Sequence, residues 1–356
     1  MILIPANGGG LAHPVARPRN HVRSLIDPAV SRCRAVLGGS TMIRRFRDHS
    51  MTKPGDLPAN TIKGTSSVAL LAANSSPLLA SSRPAMTDTS LPGNAATSGF
   101  PRPSTALEKF GLKFSAGGAH ASRTMMLREL EALLAHVPRG SQADDYRKAV
   151  LQRNVLGKPT DSTRRKSLRH LSELYALDEA IPIFWLLRQS CATDAASLPL
   201  LAVQVAWARD PLFRATTPPV MDSSGGDWVE TARLAQALDV AFPNQYSELT
   251  RNTIARNAAS SWTQSGHLAG RPKKIRQQIR TTVVAVTMAL FLGEIGGYHG
   301  ASVFSNPWCR LLDLKPNRAR AMGFEAHRAG LLNLRALGEI VELTFPPFAK
   351  FQEFLP

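Results

Sequence analysis

The chain has 356 residues, 44% of them hydrophobic, and carries 43 Lys+Arg against 26 Asp+Glu for a net charge of +17, which leaves room for two domains plus an appendage and makes a polyanion, nucleic acid first, the default partner. Only 19% of residues are charged, so the basicity comes from scarce acids, and a Lys/Arg-rich low-complexity tail is excluded as its source. Cys33, Cys191 and Cys309 stand far apart with no C-x-x-C pair, which excludes a disulfide scaffold and a zinc ribbon and fits a reducing, cytoplasmic setting.

Residues 1–105 hold 11 Pro, 9 Gly and 13 Ser with no sustained helical or strand period. Such a segment cannot bury enough apolar surface to offset its chain entropy, so a disordered basic arm is predicted. It reads either as an arm on DNA or as a tail upstream of a later start at Met51 or Met86. Its first apolar residues meet Gly8, Gly9 and Gly10 at once, unlike a signal peptide.

An all-helical domain is predicted over 106–243, where 17 basic and 15 acidic side chains nearly balance. Met126, Leu130, Leu133, Leu134 and Val137 form an amphipathic stripe ended by Pro138. A second helix is predicted over 144–156, closed by Gly157 and Pro159. A third starts at the capping residues Thr160, Asp161 and Ser162 and buries Leu168, Leu171, Leu174 and Tyr175. Ile181, Phe184, Trp185 and Leu187 mark a fourth. The stretch 198–207 is apolar nearly all round and should lie at the centre. A further helix is predicted over 227–241, after the Pro/Gly/Ser loop 218–226.

Residues 244–356 change character, with 14 basic against 7 acidic side chains. Ser247 should cap a long helix to Gln264, followed by Gly266 and the basic run 271–280. The longest apolar run, 283–292, is too short for the roughly 20 residues that a bilayer requires, so no membrane contact is expected. A helix over 317–329, the stop Gly330, a strand, the turn Ala336-Leu337-Gly338 and an alternating strand 339–345 give the layout of a winged helix-turn-helix. The fold class is therefore mainly α: a disordered arm, a helical bundle, and a winged-helix region over 244–356 with small β-hairpin wings.

Three surfaces carry candidate DNA contacts. On the 247–264 helix, Asn252, Thr253, Arg256, Ser260, Thr263 and Gln264 oppose the apolar side made by Ile254, Ala255, Ala258, Ala259 and Trp262. Short hydrogen-bonding side chains around one Arg suit phosphates and base edges. Arg271, Lys273, Lys274, Arg276 and Arg280 follow with no acid among them, as a phosphate-tracking patch. A second cluster joins Lys158, Arg164, Arg165, Lys166 and Arg169 at a helix start, its plain reading being a solvated face with an Arg169–Glu173 pair. The third is Arg320, Phe324 and Arg328 on the 317–329 helix, where Phe324 either packs on a neighbour or marks a contact.

Catalytic signatures are mostly absent. Gly157-Lys158-Pro159-Thr160 fails the phosphate-loop pattern, with Gln152 where a Gly is needed and Pro159 where Ser or Thr must follow Lys. The nine histidines include no H-E-x-x-H, and no G-x-S-x-G elbow exists. A non-enzymatic protein without cofactor, catalytic residues or metal is expected.

Asn154-Val155-Leu156-Gly157-Lys158, Ser162-Thr163-Arg164-Arg165 and Leu171-x-x-Leu174-Tyr175 resemble BrxA-type proteins of BREX bacteriophage-exclusion systems. So do Ala208-Arg209-Asp210-Pro211-Leu212 at the end of an apolar helix, and Ser247-x-x-Thr250 followed by 257–261 and Gly266-His267-Leu268. The similarity covers about 115–345, and the segment after Arg271 has no clear counterpart. The resemblance implies a NusB-like helical part, a winged-helix part, duplex DNA as ligand and other phage-defence subunits as partners. It places the Thr163-Arg164-Arg165 turn and the 247–270 helix-plus-wing against nucleic acid. Two alternatives stand beside it: a sequence-specific winged-helix transcriptional regulator, and a scaffold whose basic faces dock protein or RNA.

Overall fold

The computed structural model describes residues 99–338 and 340–355, and the protein is mainly helical there, with a few short strands. The expected arm at 1–98, and with it the later starts at Met51 and Met86, lies outside the described residues.

The first described residues are packed. Phe100 sits edge-on to Trp207 at 5.2 Å, also meets Phe114 and Trp308, and has the Arg214 guanidinium 3.7 Å from its ring centre. Ser104 caps α1 (Thr105–Phe110) by accepting the Leu107 N–H. The arm predicted to end at 105 therefore gives way to folded chain by Phe100, because one aromatic ring in an aromatic pocket outweighs the local Pro/Gly/Ser composition.

The helices α2 (Leu127–His136), α3 (Ala143–Leu151), α4 (Asp161–Tyr175), α5 (Pro182–Thr193) and α6 (Leu198–Arg209) follow. Every α6 residue except Pro199 is buried, as its all-round apolarity requires. Helix α3 stops five residues before the predicted end. Its last carbonyl, Leu151 O, accepts from Arg164 Nη1, and Asn154 turns the chain with a φ of 50°. A guanidinium from α4 thus caps α3 from a distance that sequence spacing does not show.

The short helices α7 (Pro211–Ala215) and α8 (Thr217–Met221) lead to α9 (Thr231–Ala241) and α10 (Glu248–Gln264). The start predicted for α9 at 227 is corrected to 231. Residues 226–229 run along β2 (Ile275–Arg276), with Trp228 in an antiparallel bridge to Ile275, and β2 is itself antiparallel to β1 (Leu268–Ala269). The amides of Gly226 and Val229 donate to Arg276 O and Lys274 O, and Arg276 N donates to Asp227 O.

The apolar run 283–292 lies in α11 (Val283–Ile295), buried over nearly its whole length. No helix among the described residues is long and apolar enough to cross a membrane. Next come α12 (Pro307–Leu311), α13 (Pro316–Arg328) and an antiparallel hairpin of β3 (Asn333–Leu337) and β4 (Ile340–Thr344), in the register Arg335 opposite Glu342. One core cluster runs from Leu107 to Phe351 and joins residues on both sides of Pro243.

Candidate nucleic-acid interface

Helix α10 is built on two faces. Ser247 caps it by accepting the Thr250 N–H. Its buried side consists of Ile254, Ala255, Ala258, Ala259, Ser261 and Trp262, whose small residues allow close approach of neighbouring backbone. On the outer side, Asn252, Thr253, Ser260 and Thr263 are half-buried and Arg256 is exposed. The Thr253 and Thr263 hydroxyls donate to Leu249 O and Ala259 O, four residues back. The Thr253 and Thr263 oxygens in turn accept from Arg256 Nη2 and Lys274 Nζ, so the face's positive donors are its cations. Gln264, expected on this face, instead accepts the Leu127 N–H with Oε1, and Asn257 donates to His120 O.

The β1–β2 loop brings further cations to the same face. Lys274 Nζ donates to Thr263 Oγ1 at 2.9 Å and to Gly270 O at 2.7 Å, which joins the loop to the last turn of α10. Gly270 has a φ of 92°, and a Cβ there would lie 2.2 Å from Lys273 O, so only glycine makes this turn. Arg271 and Lys273 are exposed at its tip. None of Arg256, Arg271, Lys273 and Lys274 forms an ion pair among the described residues.

Arg276 is a correction. It is 4% exposed, donates to Val220 O, His267 O and Gln277 O, and pairs with Asp313. Its guanidinium is a buried clamp under the hairpin and meets no phosphate. Residues on one short strand alternate between faces, so the basic run divides: Arg276 points into the fold while the tip stays in solvent. Arg280 is exposed.

The other two surfaces are partly structural. In the α4 cluster, Arg164 is half-buried on Leu151 O and Lys158 O, Lys158 pairs with Glu129 at 2.9 Å, and Arg165 pairs with Asp161 at 2.7 Å. Lys166 and Arg169 are exposed. Arg164 is therefore not the free surface cation expected: backbone carbonyls hold its Nε and Nη1 at the α3–α4 junction. On α13, Arg320 donates to Gly338 O and braces the hairpin, Phe324 packs against the core, and Arg328 is exposed. Leu337 and Ile340, at the ends of β3 and β4 beside the turn, are among the most exposed large hydrophobic residues.

Two constellations escaped the sequence. Residues far apart in the chain form a buried Ser–His–Asp relay: Asp210 Oδ2 lies 2.7 Å from His120 Nδ1, and Ser261 Oγ lies 2.8 Å from His120 Nε2. Its composition is that of a hydrolase triad, but all three side chains are sealed. Ser261 Oγ also accepts the Met125 N–H and donates to Asn257 O, so no position around it is left for a substrate carbonyl. Burial pushes the Asp210 carboxyl up; the His120 ring and the His120 and Phe213 amides outweigh it and hold the group below its ordinary range. The relay ties the 119–121 turn, the start of α7 and the last turn of α10 together. No motif spacing announces residues 120, 210 and 261. The second constellation is Trp228, half-exposed beside the β1–β2 loop, with Lys273 Nζ 5.2 Å from its ring centre.

No protein-family model matches the chain, and no curated protein matches it.

Proposed function

We propose that the protein is a non-enzymatic accessory protein that binds duplex DNA through the outer face of α10 and the β1–β2 loop. The observation that carries this reading is the joining of four cations without acidic partners, Arg256, Arg271, Lys273 and Lys274, into one face through the Lys274–Thr263 hydrogen bond. In this reading α10–β1–β2 and α13–β3–β4 are winged units behind a NusB-like helical part. Helix α10 lies along a groove with Asn252 and Arg256 toward the DNA, and the loop tracks the neighbouring phosphates. Duplex binding with little sequence preference follows, since the contacts are cationic and directed at phosphate.

Service in a BREX-type antiphage assembly is the setting we propose for this activity. It rests on the resemblance of the 154–175, 208–213 and 247–268 stretches to BrxA-type proteins. Several of the residues quoted for that resemblance hold the fold: Asp210 and Ser261 form the relay, and Arg209 donates to Gly111 O, Ser172 O and Glu173 O.

The test is binding of the full chain to a random 30-base-pair duplex at several salt concentrations. Beside it runs a variant with Arg256, Arg271 and Lys273 changed to Ala; Arg276 is left intact because it clamps the fold. The variant is expected to lose affinity and to flatten the salt slope by about 0.9 per phosphate contact removed. Equal affinity and slope in the two proteins would overturn the reading.

A further inference from the structure

Of the five tryptophans, Trp262 and Trp308 are fully buried, Trp207 is buried and Trp185 is half-buried against the core. Trp228 is 52% exposed. Its position is rigidly set: the segment 226–229 is bonded to β2 at both ends, and Trp228 itself bridges Ile275. The Lys273 ammonium lies 5.2 Å from the ring centre, a cation–π distance, and Arg271 stands exposed two residues earlier in the same loop. An indole held by backbone pairing, half-exposed, with the Lys273 ammonium over its ring and Arg271 exposed in the same loop, offers an aromatic surface and phosphate donors together.

A continuous duplex has little use for that surface, because its base faces are already stacked on each other. An unpaired base has a free π-face, and stacking on an aromatic side chain tolerates any base. We propose that Trp228 is a stacking platform for an unpaired nucleobase, with Arg271 and Lys273 holding the adjoining phosphates. The preferred ligand is then a duplex that ends in, or opens into, a single strand. This rests on the nucleic-acid reading above and narrows its substrate.

The experiment uses the full chain and three probes: a blunt 30-base-pair duplex, the same duplex with a ten-thymidine 3′ overhang, and a thymidine decamer. Affinity is read by fluorescence anisotropy at one salt concentration, and indole emission is followed in parallel. The overhang is expected to bind about five- to 100-fold tighter than the blunt duplex, the range of one stacked base, and to quench indole emission where the blunt duplex does not. Trp228→Ala should erase that preference and leave blunt-duplex affinity within about twofold, while Trp228→Phe should keep most of it. An overhang that binds no tighter than the blunt end, or a preference that survives Trp228→Ala, would sink the stacking platform while the duplex reading stood. The unmodified protein's quenching decides the matter if Trp228→Ala does not fold. Failure to bind any of the three probes at low salt would remove the nucleic-acid reading and this inference together.

Discussion

Lowering the pH from 7 to 5 should loosen the root of the β1–β2 hairpin through one buried histidine. His267 is fully buried, with Nε2 2.8 Å from Leu311 O and Nδ1 2.8 Å from Ser265 Oγ. The carbonyl can only accept, so Nε2 carries the proton and Nδ1 accepts from the serine hydroxyl. Burial pushes the imidazole pKa down to about 4, with the neighbouring Arg276 guanidinium acting in the same direction and Leu311 O and Asp313 opposing. The unfolded chain takes up its proton near pH 6.5 and the folded chain only near 4. Stability from this site is therefore complete above about pH 6.5, falls by about 1.4 kcal/mol per pH unit as the pH drops below that, and reaches its floor near pH 4.

Between pH 7 and pH 5 the loss works out at about 2 kcal/mol, or about 4–8 °C in melting temperature for a domain of this size. Urea unfolding at pH 7, 6 and 5 measures it, with His267→Gln alongside. The variant keeps an amide N–H for Leu311 O and has nothing to titrate, so its stability should decline less steeply by about one proton's worth over this window. Equal slopes in the two proteins would refute the reasoning. A titration of the labelled His267 ring that shows a midpoint near 6.5 would refute it independently.

Other outcomes follow from single contacts. Arg276→Ala removes a buried guanidinium and strands Asp313, and should cost about 3–5 kcal/mol in chemical denaturation. Arg271→Ala and Lys273→Ala, at exposed positions, should stay within about 0.5 kcal/mol of the unaltered protein. Gly270→Ala forces a Cβ onto Lys273 O and should reduce duplex affinity through a misplaced loop, a change seen in binding assays before it is seen in thermal melts. Asp210→Asn breaks the relay to His120 and weakens the α7 cap, and a loss of about 1–3 kcal/mol is expected; an unchanged melting curve would show that the relay stabilises nothing.

The sequence was legible wherever the controlling partners are local. Helix α10 runs from the predicted Ser247 cap to Gln264, and the β3–β4 hairpin lies within the 331–345 segment that Gly330 and Gly338 marked, because caps, periodicity and turns act within a few residues. Non-local partners decided the rest. A helix is predicted from Asp227, but backbone bonds to Lys274 and Arg276 and the Trp228–Ile275 bridge hold 226–229 along β2 and leave Trp228 half-exposed. Arg164 and Arg276 have the composition of surface cations, yet both find backbone carbonyls brought up by distant elements. His120, Asp210 and Ser261 share no spacing at all, so only the packed chain joins them.

The buried arginines bear directly on how the +17 charge acts. Arg188 donates to Leu134 O and Val137 O and pairs with Glu179. Arg209 and Arg214 are held by backbone carbonyls, and burial drives their pKa down to about 10 and about 9. These groups and Arg276 raise the protein's long-range potential but cannot displace a counterion at a phosphate. The salt dependence of binding should therefore count the free cations of one face and ignore the net charge. Four contacts, from Arg256, Arg271, Lys273 and Lys274, correspond to a log–log slope of about −3.6 on duplex DNA. A steeper slope that Lys166→Ala and Arg169→Ala flatten would place the duplex across α4 as well. A slope near −3.6 that those two changes leave alone confines it to α10 and its loop.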